Sequence, residues 1–192
     1  MSERERVRER ERVIEREREI ETERERARET SQPHKSKEVN KKYIKFLKNK
    51  DISFEFLHSE TIAYAKEWKE VLQQAISFSS EELFALDCTY GKYLGNTIQN
   101  FIEKYKIKNI DFIASHGHTV LHQPEKGITL QIGSGEEIAK ITKQKVVCDF
   151  RTQDLELGGQ GAPLVPIGDA LLFPEYDFCL NLGGFSNVSF RK

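Results

Sequence analysis

The stretch from Asp149 to Pro166, DFRTQDLELGGQGAPLVP, constrains this chain more than any other. It follows the apolar run Val146-Val147-Cys148 directly. Into one connection it packs Asp149, Arg151 and Asp154, the glycines Gly158, Gly159 and Gly161, and the prolines Pro163 and Pro166. Glycine is needed where backbone enters φ > 0 or admits a close neighbour, and open α/β sheets place ligands at the carboxyl ends of strands. The stretch therefore reads as a strand-end site. Its bland alternative is a tight solvent loop running into a helix N-terminus at Pro163.

Strand and helix patterns alternate around it. Val39, Tyr43, Phe46 and Leu47 fall on one helical face among lysines, which predicts a short basic amphipathic helix docked on the domain or on a membrane or partner. Ile52, Phe54 and Phe56 then alternate with polar residues as a strand does. Trp68, Val71, Leu72, Ala75 and Ile76 give an amphipathic helix. Ser79-x-x-Glu82 has capping-box spacing and opens a longer helix with core face Leu83, Leu86, Tyr90, Leu94, Ile98 and Phe101. Ile110 to Ala114 is a buried strand delivering Ser115-His116-Gly117-His118-Thr119 at its end. Thr129 to Ile132 is a second strand, Ser134 and Glu137 cap a helix through Ile138 and Ile141, and Lys145 to Phe150 is a third strand. A short helix from Pro163 or Leu164 ends near Phe173-Pro174, and two strands around Gly183-Gly184, Phe178 to Leu182 and Ser186 to Phe190, close the pattern. Such alternation predicts an α/β domain.

The amino-terminal part is a different material. Residues 1–30 are Glu/Arg runs in which opposite charges at i,i+3 and like charges at i,i+4 largely cancel, predicting a solvated helical or disordered tail. Val7, Val13, Ile14, Ile20 and Ala27 supply about one apolar residue per heptad, half of a coiled-coil seam. The boundaries expected are a tail and linker over 1–37, a main lobe over 38–176 and the opening hairpin of a second lobe over 177–192. A net charge of −1 gives no electrostatic reason for a nucleic-acid partner. The three cysteines form no C-x-x-C pair, and Cys148 and Cys179, inside apolar runs, read as buried thiols of a reducing compartment. No apolar run approaches the ~18 residues of a membrane span, and the charged amino terminus does not read as a signal peptide, so the cytoplasm is expected.

Three constellations carry chemistry. His116, His118 and His122 invite a metal, but no carboxylate stands at matching spacing, so hydrogen bonding by His116 or a structural turn is the better reading. Arg151 offers a planar fork for an anion or sugar hydroxyls. Asp149 and Asp154 can accept from hydroxyls or act as acid or base, the alternative being an Asp149/Arg151 ion pair that closes the loop. Asn181-Leu182-Gly183-Gly184-Phe185-Ser186-Asn187 is a strand, glycine turn and strand unit able to bring backbone N–H groups against phosphates.

In order, the runs SHGHTVLHQP, TLQIGSG, VVCDFRTQDLELGGQGAPLVP and LNLGGFSNVSF closely resemble the anhydro-N-acetylmuramic acid kinases of peptidoglycan recycling, over roughly Ile52 to Lys192. The resemblance implies a ribonuclease-H-like lobe of the actin/hexokinase type, here incomplete. It implies a reaction in which ATP, with Mg2+, phosphorylates the sugar 6-oxygen while water opens the 1,6-anhydro ring. His116, Gly117, His118 and Thr119 fall on the family's His-Gly-Gln-Thr stretch, with His118 where glutamine is usual. Asp149, Arg151, Asp154, Gly159, Gln160, Gly161 and Pro163 match its sugar-side loop. Asn181, Gly183, Gly184, Ser186 and Asn187 match a phosphate-binding hairpin and so imply contact with ATP. The partners implied are an amino sugar and ATP, with a homodimer left open for the intact family protein.

Two family motifs have no counterpart here: an early Gly-Thr-Ser-x-Asp-Gly phosphate loop, and a catalytic Asp before Gly-Pro-Gly-Asn, expected beyond Lys192. The chain thus reads as truncated at both ends, and these 192 residues alone are expected to show no kinase turnover. No catalytic or metal-binding residue is assigned within them. The other reading is a non-catalytic half-domain that binds a sugar or a partner. On either reading the hairpin's apolar residues Phe178, Leu180 and Leu182 are expected to lack most of their core.

Overall fold

A computed structural model describes residues 38–48, 52–162, 164–182 and 186–190. The tail over 1–37, Pro163, Gly183 and Gly184 lie outside the described residues. The centre is the helix α2, Ser80–Lys104, preceded by α1, Lys66–Gln74, and a 3-10 turn at Ala75–Ser77. The capping box forms as the spacing predicts: Glu82 N–H donates to the Ser79 hydroxyl at 3.2 Å and Ser79 N–H to Glu82 at 2.7 Å. From this start α2 buries Leu83, Leu86, Tyr90, Leu94 and Phe101. Tyr64, Leu72, Ala75, Ile132 and Ile138 complete the core against it. The Tyr64 and Tyr90 hydroxyls share a 2.5 Å hydrogen bond, which satisfies two polar groups inside an apolar cluster. Burial pushes both phenols above their usual range.

Where a helix is predicted over Val39 to Leu47, the chain forms strand β1, Glu38–Lys48, antiparallel to β2, Ile52–Ala63. The misleading residue is Lys41. It is buried, with Nζ 3.3 Å from the Thr97 carbonyl, 3.5 Å from Glu60 and over the Phe101 ring. A lysine on the inner face conceals the period-two pattern of Val39, Lys41 and Tyr43. Burial lowers the Lys41 pKa, and Glu60 opposes that shift.

The remaining strands are short. β3, Ile113–Ala114, pairs in parallel with β6, Val146–Val147, so the expected strands over 110–114 and 145–150 shrink to two residues each. β4, His118–Gln123, and β5, Ile128–Ile132, form an antiparallel hairpin between them. Helix α3, Gly135–Thr142, follows, capped by Ser134 accepting from Glu137 N–H at 3.3 Å. Because β6 ends at Val147, Cys148 leaves the sheet and is exposed rather than buried, and Cys179 is half-buried. The connection expected as a loop after β6 contains a short helix α4, Thr152–Glu156. Then come α5, Leu164–Leu172, and the hairpin β7, Phe178–Leu182, with β8, Ser186–Phe190, in the register Asn181↔Asn187. Phe178 and Leu180 are 71% and 62% exposed, so the hairpin's apolar side is uncovered among the described residues. The architecture is a mixed α/β fold in which β3 and β6 aim their carboxyl ends the same way.

Candidate sugar-binding site

The carboxyl ends of β3 and β6 deliver two turns to one place. After β3 come Ser115, buried, then His116 and Gly117, the latter at φ 68. A side chain at Gly117 would collide with the Ile132 carbonyl. After β6 comes Asp149, at φ 55 in the left-handed region that non-glycine residues seldom enter. Its Oδ1 accepts from the Thr152 hydroxyl at 2.7 Å and from Thr152 N–H at 3.4 Å, which fixes the turn into α4.

Arg151 joins the two turns. Its Nε–H donates to His116 Nε2 at 3.0 Å and an Nη1–H to the Gly161 carbonyl at 2.8 Å. Gly161 N–H donates in turn to Asp154 Oδ2 at 2.7 Å. One peptide segment is thus held by a cation at its carbonyl and a carboxylate at its amide. The three glycines serve this arrangement. Gly158 and Gly161 sit at φ 84 and 64, and Gly159 lies so close to the Asp154 carboxylate that a Cβ would overlap it. Arg151 makes no ion pair with Asp149 among the described residues; its fork is turned to His116 and Gly161.

These contacts fix the proton on His116. Nε2 accepts from Arg151, so the neutral ring carries its proton on Nδ1, 3.4 Å from the Gly117 carbonyl. A protonated ring would set one N–H against another. Although part of its surface is open to solvent, burial lowers the His116 pKa most, the Arg151 cation lowers it further, and the Gly117 carbonyl opposes both. Burial lowers Arg151 as well, but guanidinium remains charged.

The other expected residues are more dispersed. His118 is buried in β4, edge-on to the Tyr90 ring at 6.3 Å, and Thr119 is half-buried opposite Gln131. Gln160 is exposed beside Gly161. Asn181 donates from its amide to Asp169 Oδ2 at 3.1 Å, tying β7 to α5. Ser186 and Asn187 lie in β8. Sequence reasoning missed Thr152, whose Asp149-x-x-Thr152 spacing is the signal of a local turn. It also missed Asp87, which accepts from Gly133 N–H at 2.7 Å across 46 residues and leaves no local signal.

The family's sequence model for anhydro-N-acetylmuramic acid kinase matches residues 44–192, which takes in every element of this site. The chain belongs to the anhydro-N-acetylmuramic acid kinase family. Among curated members, the anhydro-N-acetylmuramic acid kinase of Bacillus cereus strain G9842 is 33% identical over 153 residues, covering 72% of this chain and 40% of the relative. That of Bacillus anthracis is 36% identical over 149 residues, covering 70% and 39%. The chain thus spans about 40% of the length of these kinase relatives.

Proposed function

We propose that this chain supplies the sugar-side face of an anhydro-N-acetylmuramic acid kinase, within a ribonuclease-H-like lobe of the cytoplasmic enzyme. The reaction joins 1,6-anhydro-N-acetylmuramic acid, water and ATP to give N-acetylmuramic acid 6-phosphate and ADP. The observation that carries this reading is the Arg151 fork spanning His116 and Gly161 at the ends of two parallel strands. Among the described residues, two of the five guanidinium N–H groups are engaged there, which leaves three for an anion. The muramic sugar brings one, its lactyl carboxylate. Among the described residues Asp149 commits Oδ1 alone, to Thr152, so its second oxygen is placed to accept from a sugar hydroxyl. Gly117, Thr119, Gly159, Gln160 and Pro163 complete the sugar's surroundings, with His118 supporting the turn from beneath.

ATP belongs at the β7–β8 hairpin, through Asn181, Gly183, Gly184, Ser186 and Asn187, a placement that rests on sequence match. Asp169, bonded to Asn181, is a hard oxygen donor of the kind Mg2+ accepts. When bound with the nucleotide, the ion supplies charge neutralisation on the transferring phosphoryl group. Calorimetric titration of the chain with 1,6-anhydro-N-acetylmuramic acid tests the sugar assignment. A charge-assisted pair is worth about 1.5–3 kcal/mol, so Arg151→Ala is expected to weaken binding at least tenfold. 1,6-Anhydro-N-acetylglucosamine, which lacks the lactyl group, is expected to bind weakly and to be indifferent to that substitution. Equal affinity of both sugars, or no effect of Arg151→Ala, overturns the assignment.

A further inference from the structure

The two glycines that end the TLQIGSG run each lie against one connection of the sugar-side site. A Cβ on Gly133, at φ 119, would stand 3.3 Å from Gly117 Cα, in the turn after β3. A Cβ on Gly135 would stand 2.5 Å from Cys148 Sγ, in the connection after β6 and one residue before Asp149. Gly133-Ser134-Gly135 is thus a spacer packed against both connections. Its fit is close, because Gly117 has no room for a side chain against the Ile132 carbonyl and His118 pairs with Ile132 in the hairpin. Helix α2 holds the spacer from the other side. Gly91 lets the helix approach Ser134, whose carbonyl oxygen a Cβ would meet at 2.8 Å. One turn earlier, Asp87 Oδ1 accepts from Gly133 N–H at 2.7 Å, and the Asp87 carbonyl accepts from Ser134 N–H at 3.2 Å. Asp87 lies along the side of α2 that buries Leu83, Tyr90, Gly91 and Leu94. Burial raises its pKa, and the Gly133 and Ser134 amides oppose that rise. An acid beside a core is costly unless it is bonded, and among the described residues this carboxylate bonds to the spacer alone.

We propose that Asp87 is a positioning residue of the sugar-side site: it holds Gly133-Ser134-Gly135 between the two connections and so keeps His116 within reach of Arg151, a role that rests on the sugar-side reading of Arg151. Among the described residues Asp87 bonds to neither of them, and its effect passes through packing. Without the carboxylate, Gly133 N–H loses its acceptor and the spacer is free to draw back from Gly117. Gly117 sits next to His116, whose Nδ1 is 3.4 Å from the Gly117 carbonyl and whose Nε2 accepts from Arg151 at 3.0 Å. Hydrogen bonds weaken steeply as distance and angle depart from their optimum, so a small retreat of the Gly117 turn loosens the bond to Arg151. The neutral His116 ring is then free to carry its proton on Nε2 instead of Nδ1. An acid that only stabilised the packing of α2 on α3 would lower stability and leave that ring unchanged.

The test uses the whole 192-residue chain, 15N-labelled, at a pH where the His116 ring is neutral. The ring nitrogen shifts report which nitrogen carries the proton. In Asp87→Ala they are expected to move from the Nδ1–H pattern toward Nε2–H, with the Gly117 amide moving as well. Asp87→Asn, which keeps an oxygen for Gly133 N–H, is expected to move them only part of the way. Ser79→Ala, which weakens the same helix at its cap, is expected to leave them in place. Calorimetric affinity for 1,6-anhydro-N-acetylmuramic acid is expected to fall by roughly three- to thirtyfold in Asp87→Ala. In an Arg151→Ala background the same substitution should have no further effect, because its route to the sugar is gone. Unchanged ring signals in Asp87→Ala, signals moved equally by Ser79→Ala, or a full affinity loss in the Arg151→Ala background overturn the proposal. If Asp87→Ala does not fold, Asp87→Asn decides, and ring signals identical to the wild type overturn it. A wild-type chain that binds no sugar refutes the sugar-side reading instead, and the ring signals still show whether Asp87 positions His116.

Discussion

Gly159→Ala tests how the Asp154–Gly161 clamp is built. An ideal Cβ on Gly159 would lie 2.5 Å from the Asp154 carboxyl carbon and 2.6 Å from Oδ1. No backbone strain is involved, so the cost comes from moving the carboxylate off Gly161 N–H, which it accepts at 2.7 Å. A hydrogen bond to a charged group is worth about 1.5–3 kcal/mol, and a half-buried pair falls near the lower end. Against it stands a gain of about 0.4–1 kcal/mol from a stiffer unfolded chain. The net expectation is a loss of about 1 kcal/mol, or roughly 3 °C in Tm for a domain of this size. Urea unfolding with an unchanged m-value is the assay. The mechanism is checked by repeating the substitution in an Asp154→Ala background, where there is no carboxylate to displace and Gly159→Ala should turn neutral or stabilising. An equal cost in both backgrounds refutes the reasoning. Gly168→Ala in α5, where a Cβ meets nothing within 4 Å, is the matching control and should stabilise by about 0.5–1 kcal/mol.

Two further outcomes follow from the same geometry. His116 has a folded-state pKa below its unfolded value of about 6.5, so the native state binds fewer protons and the neutral ring's contribution is complete above that pH. It is lost as the pH falls through the folded pKa; urea midpoints at pH 7.5 and 5.5 should therefore differ more for the wild type than for His116→Gln, whose side-chain oxygen still accepts from Arg151. Ser79→Ala removes a complete capping box from α2 and should cost about 0.5–2 kcal/mol by urea unfolding, restored in part by Ser79→Asp.

What could be read in the sequence was what local rules determine. Ser79-x-x-Glu82 and Ser134-x-x-Glu137 announced two helix starts, because a cap depends on residues three apart. The glycines of the Asp149 stretch marked a built connection rather than a plain linker, because two of them occupy φ > 0 and a third admits a carboxylate. β1 was misread because Lys41 counts as polar until its partners Glu60, Thr97 and Phe101 arrive from elsewhere in the chain. The link from Arg151 to His116 spans 35 residues and exists only because β3 and β6 run parallel. Sequence alone offered an ion pair with Asp149 instead, the nearest opposite charge. His118 and Thr119 read as part of a turn, yet both belong to β4, because the turn is completed at Gly117.

The most direct test of the sugar-side assignment is to follow the backbone amides of the 15N-labelled chain while 1,6-anhydro-N-acetylmuramic acid is added. Saturable shifts centred on Gly117, Gly161 and the Asp149–Thr152 turn are predicted, absent with the sugar that lacks the lactyl group and absent in Arg151→Ala. Shifts confined to other elements, or identical for both sugars, would contradict the account.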